Sequence, residues 1–174
     1  MEVGILIQYI KQEKKMPKIK SYDWESSITF ELNLKDGKGL IYDKNQADYL
    51  NWIPYDFYLI VRNNMYILEG MTFSLEGIKT FLLRLQSVID ERNIKKEYVE
   101  YEYCASEAEF SIYLKNTDDY YEDEIVLTKL WINAAYLENA GSGYCIGFDF
   151  IIRYEDLKVF TEELKKELNE IVRK

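Results

Sequence analysis

The sequence predicts an α+β fold made of two antiparallel, strand-rich halves, each ending in a helix and related by a pseudo-two-fold axis. Three observations carry this expectation. Residues 65–93, MYILEGMTFSLEGIKTFLLRLQSVIDERN, align without a gap onto residues 144–172, YCIGFDFIIRYEDLKVFTEELKKELNEIV. Ile67, Glu76, Lys79, Phe81, Leu85 and Glu91 then fall on Ile146, Glu155, Lys158, Phe160, Leu164 and Glu170, and the apolar positions of strand and helix coincide. Upstream, FELNL (30–34) and FSIYL (110–114) take corresponding places, with one residue inserted between the halves. The β-rich segments also come in runs joined by short turns, which favours antiparallel over parallel pairing. One helix covers the sheet of its own half poorly. The expected arrangement is therefore one continuous or paired sheet, with both helices packed on the same face.

Residues 1–20 lie outside the duplication. Val3, Ile5 and Ile7 suit an edge strand or a short helix equally, and Pro17 marks a break. The first half spans 22–93. Residues 27–35 form a strand, because Ile28, Phe30, Leu32 and Leu34 alternate with Thr29, Glu31, Asn33 and Lys35. Asp36-Gly37 signals a hairpin turn, a short strand is expected at 40–42, and 43–54 reads as loop with Trp52 and Ile53 tucked onto the core. Two strands, 55–62 and 65–73, flank the turn residues Asn63 and Asn64. Ser74 is a good N-cap, and Glu76 suits the positive end of the following helix dipole. Leu75, Ile78, Phe81, Leu82, Leu85, Val88 and Ile89 then form one helical stripe, which ends at Asn93.

The second half spans 97–172. Val99, Tyr101 and Tyr103 alternate with Glu100 and Glu102, and Phe110, Ile112 and Leu114 with Ser111 and Tyr113. Residues 125–137 read as one long strand, bent near Asn133, Ala134 and Ala135. Ile146, Phe148, Phe150 and Ile152 share a strand face. The closing helix carries the narrower stripe Leu157, Phe160, Leu164, Leu168 and Ile171, so the first helix is expected to be the more buried. With two prolines and eight glycines in 174 residues, no linker stands out, and the chain reads as a single domain over 1–174.

Composition narrows the function classes. At 48% hydrophobic and 30% charged the chain has the makeup of a folded globular protein. The net charge of −9 opposes nucleic-acid binding, which needs clustered Lys and Arg. It favours a basic protein partner instead. Residues 1–10 lack the basic start of a signal peptide, and no run approaches a membrane span. A cytoplasmic location is expected, with Cys104 and Cys145 as reduced, half-buried thiols. The sequence leaves the oligomeric state open.

Chemistry is sparse. There is no histidine, which removes the commonest general base and metal ligand, and no paired-cysteine motif for zinc. The expected protein is not an enzyme and has no cofactor, catalytic or metal-binding residues. Gly141, Gly143 and Gly147 precede a strand rather than a helix, so they read as a turn and not as a phosphate loop. The most conspicuous cluster is Asp118, Asp119, Tyr120, Tyr121, Glu122, Asp123 and Glu124. Its carboxylates lack the alternation and central glycine of a calcium loop, whereas its tyrosines offer rigid amphipathic contact area. This is the candidate protein-binding segment, with a solvated loop between strands as the alternative.

The duplicated plan, in FSLEGIKTFLLRLQ and FIIRYEDLKVFTEELKKEL, resembles the WapI-type bacterial immunity proteins across roughly residues 26–172. The resemblance implies a cytosolic protein that neutralises the toxic domain of a polymorphic toxin by binding it, and it transfers no binding residue. The other expectation is a small-ligand-binding or regulatory domain with an aromatic pocket between sheet and helices.

Overall fold

The computed structural model describes residues 16–22, 27–36, 52–95, 100–105, 108–117, 125–138 and 144–172. Its elements run β1 (Lys18–Lys20), β2 (Ile28–Leu34), β3 (Trp52–Val61), β4 (Asn64–Ser74), α1 (Leu75–Lys95), β5 (Glu100–Cys104), β6 (Phe110–Thr117), β7 (Ile125–Asn133), α2 (Ala135–Glu138), β8 (Cys145–Arg153) and α3 (Tyr154–Val172). They form two four-stranded antiparallel sheets, ordered β1-β2-β3-β4 and β5-β6-β7-β8. Each sheet leads into a long helix, as the duplication predicts.

The alternating apolar residues set the register. In the first sheet Phe30 faces Leu59, Leu32 faces Phe57 and Leu34 faces Tyr55; all six are buried. In the second, Phe110 faces Ile132 and Ile112 faces Leu130. A one-residue slip would turn every one of these side chains outward, so burial itself holds the pairing. The sheets meet at an isolated bridge between Ser21 and Ile152, reinforced by the Tyr22 N–H donating to the Ile151 carbonyl at 2.7 Å.

The helices are exchanged between the sheets. α1 leaves β4 and packs on β5 and β6 of the second sheet, whereas α3 leaves β8 and packs on β1 and β2 of the first. The rings show the symmetry. Phe30 of β2 meets Phe160 of α3 at 5.4 Å, Phe110 of β6 meets Phe81 of α1 at 6.2 Å, and Phe30 and Phe110 meet each other at 6.4 Å.

Several local expectations change. β1 draws residues 18–20 into the first sheet, because Ile19 finds a buried place beside Phe30. β3 begins at Trp52 and not after the proline. Pro54 sits where β2 has run out; its carbonyl accepts from the Lys35 N–H at 2.8 Å, and only the reciprocal bond is lost. β7 stops at Asn133, whose side chain accepts from the Ala135 N–H at 3.0 Å and starts α2, so 125–137 is not one strand. Residues 40–42 and the first ten residues lie outside the described part. Ser74 caps α1 as expected, accepting from the Gly77 N–H at 2.9 Å.

The narrow stripe of α3 is buried as thoroughly as that of α1, contrary to the sequence reading. Two polar residues widen it. Thr161 donates to the Leu157 carbonyl at 2.8 Å, and the Glu167 carboxylate accepts from the Leu34 N–H at 3.1 Å. Each of these hydrogen bonds offsets part of the cost of burying its polar group.

Two outcomes test this packing. Phe110→Ala removes a ring fully inside the contact between halves, and should lower unfolding free energy by about 3–5 kcal/mol in urea titration; a loss below ~1 kcal/mol would contradict a filled core. Because each helix covers the other half's sheet, fragments 1–95 and 96–174 should each be unfolded alone by circular dichroism. Mixed, they should regain the native spectrum, and an independently folded fragment would refute the exchange.

Candidate binding groove

The expected binding segment, Asp118 through Glu124, lies outside the described residues. The β5 tyrosines are structural. The Tyr101 hydroxyl donates to Glu91 at 2.9 Å and the Tyr103 hydroxyl to the Gly77 carbonyl at 3.4 Å, so both fasten α1 to the second sheet. Glu100 turns outward and pairs with Lys115 at 2.8 Å.

Other conspicuous residues also serve the fold. Gly147 is inside β8, not in a turn: a Cβ there would lie 2.7 Å from the Trp131 ring nitrogen, so glycine makes room for the indole. Gly141 and Gly143 lie outside the described residues. Both cysteines are exposed rather than half-buried. Partial burial of its sulfur, then the charges of Glu102 and Glu109, push the Cys104 thiol up, which disfavours the reactive thiolate. Asp56, 3% exposed, sits at the bulge where the register of β3 on β4 shifts. It accepts from the Gly70 N–H at 3.2 Å and the Tyr58 hydroxyl at 3.3 Å, and it pairs with Lys35. Gly70 supplies the positive φ of 70° that the bulge requires. These contacts occupy a buried carboxylate completely. No group of three or more metal-ligating side chains occurs among the described residues.

The described interior aromatics pack directly against one another. Phe57 and Phe110 are 5.2 Å apart, and Tyr55 stacks on Phe73 at 4.3 Å. The Tyr55 hydroxyl is buried in this packing beside the Glu109 carboxylate, itself 2% exposed.

An open space lies instead on the outer side of the helices. The Tyr154 hydroxyl, at the start of α3, donates to the Ile89 carbonyl near the end of α1 at 2.7 Å, so the helices run antiparallel. Between them is a groove of about 370 Å³. Leu75, Leu82, Thr161 and Leu168 are its buried floor, and Leu83 and Val172 are apolar walls, 67% and 38% exposed. Lys79, Gln86, Lys165 and Asn169 complete the lining. From Leu75 to Gln86 the floor is about 16 Å long at the rise of an α-helix.

The duplication shows why the groove has one open end. Leu75 and Tyr154 occupy equivalent positions, as do Lys79 and Lys158. At one end of the helix pair Tyr154 fills the space, buried against Ile89, with the Lys158 ammonium 4.9 Å above its ring. At the other end Leu75 is too small to do so. The sequence places Leu83 on the helix surface but gives no sign that two helices would leave a shared trough there; the Leu75/Tyr154 difference is the signal that could have located it.

A second exposed apolar surface lies on the first sheet. Met65 and Ile67 of edge strand β4 are 57% and 39% exposed and face Ile60 and Tyr58 across the pairing. No helix among the described residues is long and apolar enough to cross a membrane. The sequence matches no protein-family model and no curated protein.

Buried tyrosines give the fold a pH dependence. Burial first, and the Glu109 charge second, push the Tyr55 and Tyr103 hydroxyls well above their ordinary value of 10.0. The unfolded chain ionises near pH 10 while the folded one holds its protons, so stability is complete below pH 10 and falls above it. Tyr55 alone should contribute a slope of up to about 1.4 kcal/mol per pH unit. Urea titrations at rising alkaline pH should show the decline, and Tyr55→Phe should reduce it. An unchanged slope in that variant would contradict the burial of this hydroxyl.

Proposed function

We propose that this chain is a non-enzymatic protein-binding module that acts as an immunity protein, neutralising a bacterial toxin domain by docking onto it. One observation carries the binding role. The helix pair leaves an elongated apolar trough beside an exposed Leu83, and contiguous apolar surface of this kind marks interaction sites. The rest is consistent with binding and offers little to catalysis. Histidine is missing from the sequence, and the buried Asp56 and Glu167 carboxylates are engaged by backbone N–H groups. The immunity role draws on the resemblance of residues 26–172 to WapI-type proteins. A net charge of −9 would steer a basic toxin domain toward the module.

Co-expression with the product of the neighbouring reading frame tests the proposal. That product should arrest growth when expressed alone, and this chain should restore growth and co-elute with it from a sizing column. A neighbour that is neither toxic nor bound would defeat the immunity reading.

A further inference from the structure

We infer that the groove receives an amphipathic helix of the partner, with a carboxylate at the centre of the helix's apolar stripe. This deepens the protein-binding reading and rests on it. The shape argues for a helix. A straight trough along two antiparallel helices accepts a third whose side chains recur at i, i+3 or i+4, and i+7. Its lining comes from helices alone, so it offers no strand edge with which an extended peptide could pair.

Charge specifies the occupant further. The whole chain has 31 acidic and 22 basic residues, yet the ten lining residues include Lys79 and Lys165 and no carboxylate. The antiparallel helices place these lysines at about the same level, one on each side. Glu76, outside the lining, holds the Lys79 ammonium at 2.8 Å. An apolar occupant that covered Lys165 would strip its water and leave a buried charge. Glu162 and Glu170 line the neighbouring depression that shares Lys165 with the groove, so a carboxylate at that level supplies its partner on the groove side while the flanking apolar side chains cover Leu83, Leu168 and Val172. The fold also shows what a closed version of this site looks like, because Tyr154 already occupies the equivalent space at the other end.

The test uses three synthetic helical peptides of about 18 residues, or five turns. The first has an apolar stripe with a central Glu, the second the same stripe with a central Lys, and the third the first composition scrambled. Methyl NMR on the full chain reads where each binds. The Glu peptide should shift the Leu82, Leu83, Leu168 and Val172 methyls, and the Lys peptide should bind at least about 10-fold more weakly. Leu75→Tyr should abolish binding by filling the groove as Tyr154 does, without lowering the thermal midpoint. The double variant Lys79→Glu, Lys165→Glu should reverse the preference, and it keeps the test decisive if Leu75→Tyr does not fold. Equal binding of the Glu and Lys peptides overturns the inference. So does binding that shifts Met65 and Ile67 instead, or a groove that takes dodecanoate but none of the peptides. If the co-expressed neighbour still binds Leu75→Tyr with unchanged affinity, the groove assignment fails and protein binding stands. If the Glu peptide binds as described but the neighbour does not, immunity fails and the groove stands.

Discussion

Phe30 and Phe110, 6.4 Å apart, are the point through which the two halves recognise each other. Each ring is fully buried, and each touches the helix of the opposite half, Phe30 at Phe160 and Phe110 at Phe81. This contact turns a sequence repeat into a single packed unit. A half on its own could form its sheet but would expose that sheet's inner face, because its own helix has gone across. Large aromatic faces left in water are too costly for a fold that holds only a few kcal/mol in reserve. The apolar alternation in β2 and β6 and the stripes of α1 and α3 are therefore one constraint, satisfied only when both halves are present.

That interdependence explains what was legible in the sequence. Period-two alternation in 28–34 and 110–114, and three-four spacing in 75–89 and 157–171, reveal the elements and their buried faces, since each follows from backbone geometry alone. Ser74 is recognisable as a cap for the same reason. The helix exchange was not legible. An amphipathic stripe says that a face must be covered but does not name the sheet that covers it. Pro54 misled because proline is judged against a complete ladder, whereas β2 had already ended at that level. Thr161 and Glu167 are absent from the apolar stripe because they are polar, and they are buried through hydrogen bonds, one within the helix to Leu157 and one across the fold from Leu34.

The groove illustrates a further limit. Every residue that lines it is visible in the sequence, but its existence depends on the gap between two helices that are far apart along the chain. Leu75 is one member of the first helical stripe, and Tyr154 lies just before the second. Their difference acquires meaning once the pseudo-two-fold places them at opposite ends of the same pair. The acidic stretch 118–124, the most conspicuous feature of the sequence, lies outside the described residues, and the described surface directs attention to the helices.

Asymmetry within a duplicated fold is informative because the two copies face the same packing problem. At one end of the helix pair the problem is solved by Tyr154, whose ring fills the space and whose hydroxyl satisfies the Ile89 carbonyl. At position 75, the equivalent place in the repeat, leucine lines an open groove instead. Stability alone favours the larger side chain, since filling a void removes exposed apolar surface. Leucine at 75 instead leaves the trough open, and Leu83, 67% exposed, keeps apolar surface in water beside two lysines. A site that forgoes burial within the fold retains that free energy for association, which is the physical basis for regarding the groove as a binding surface.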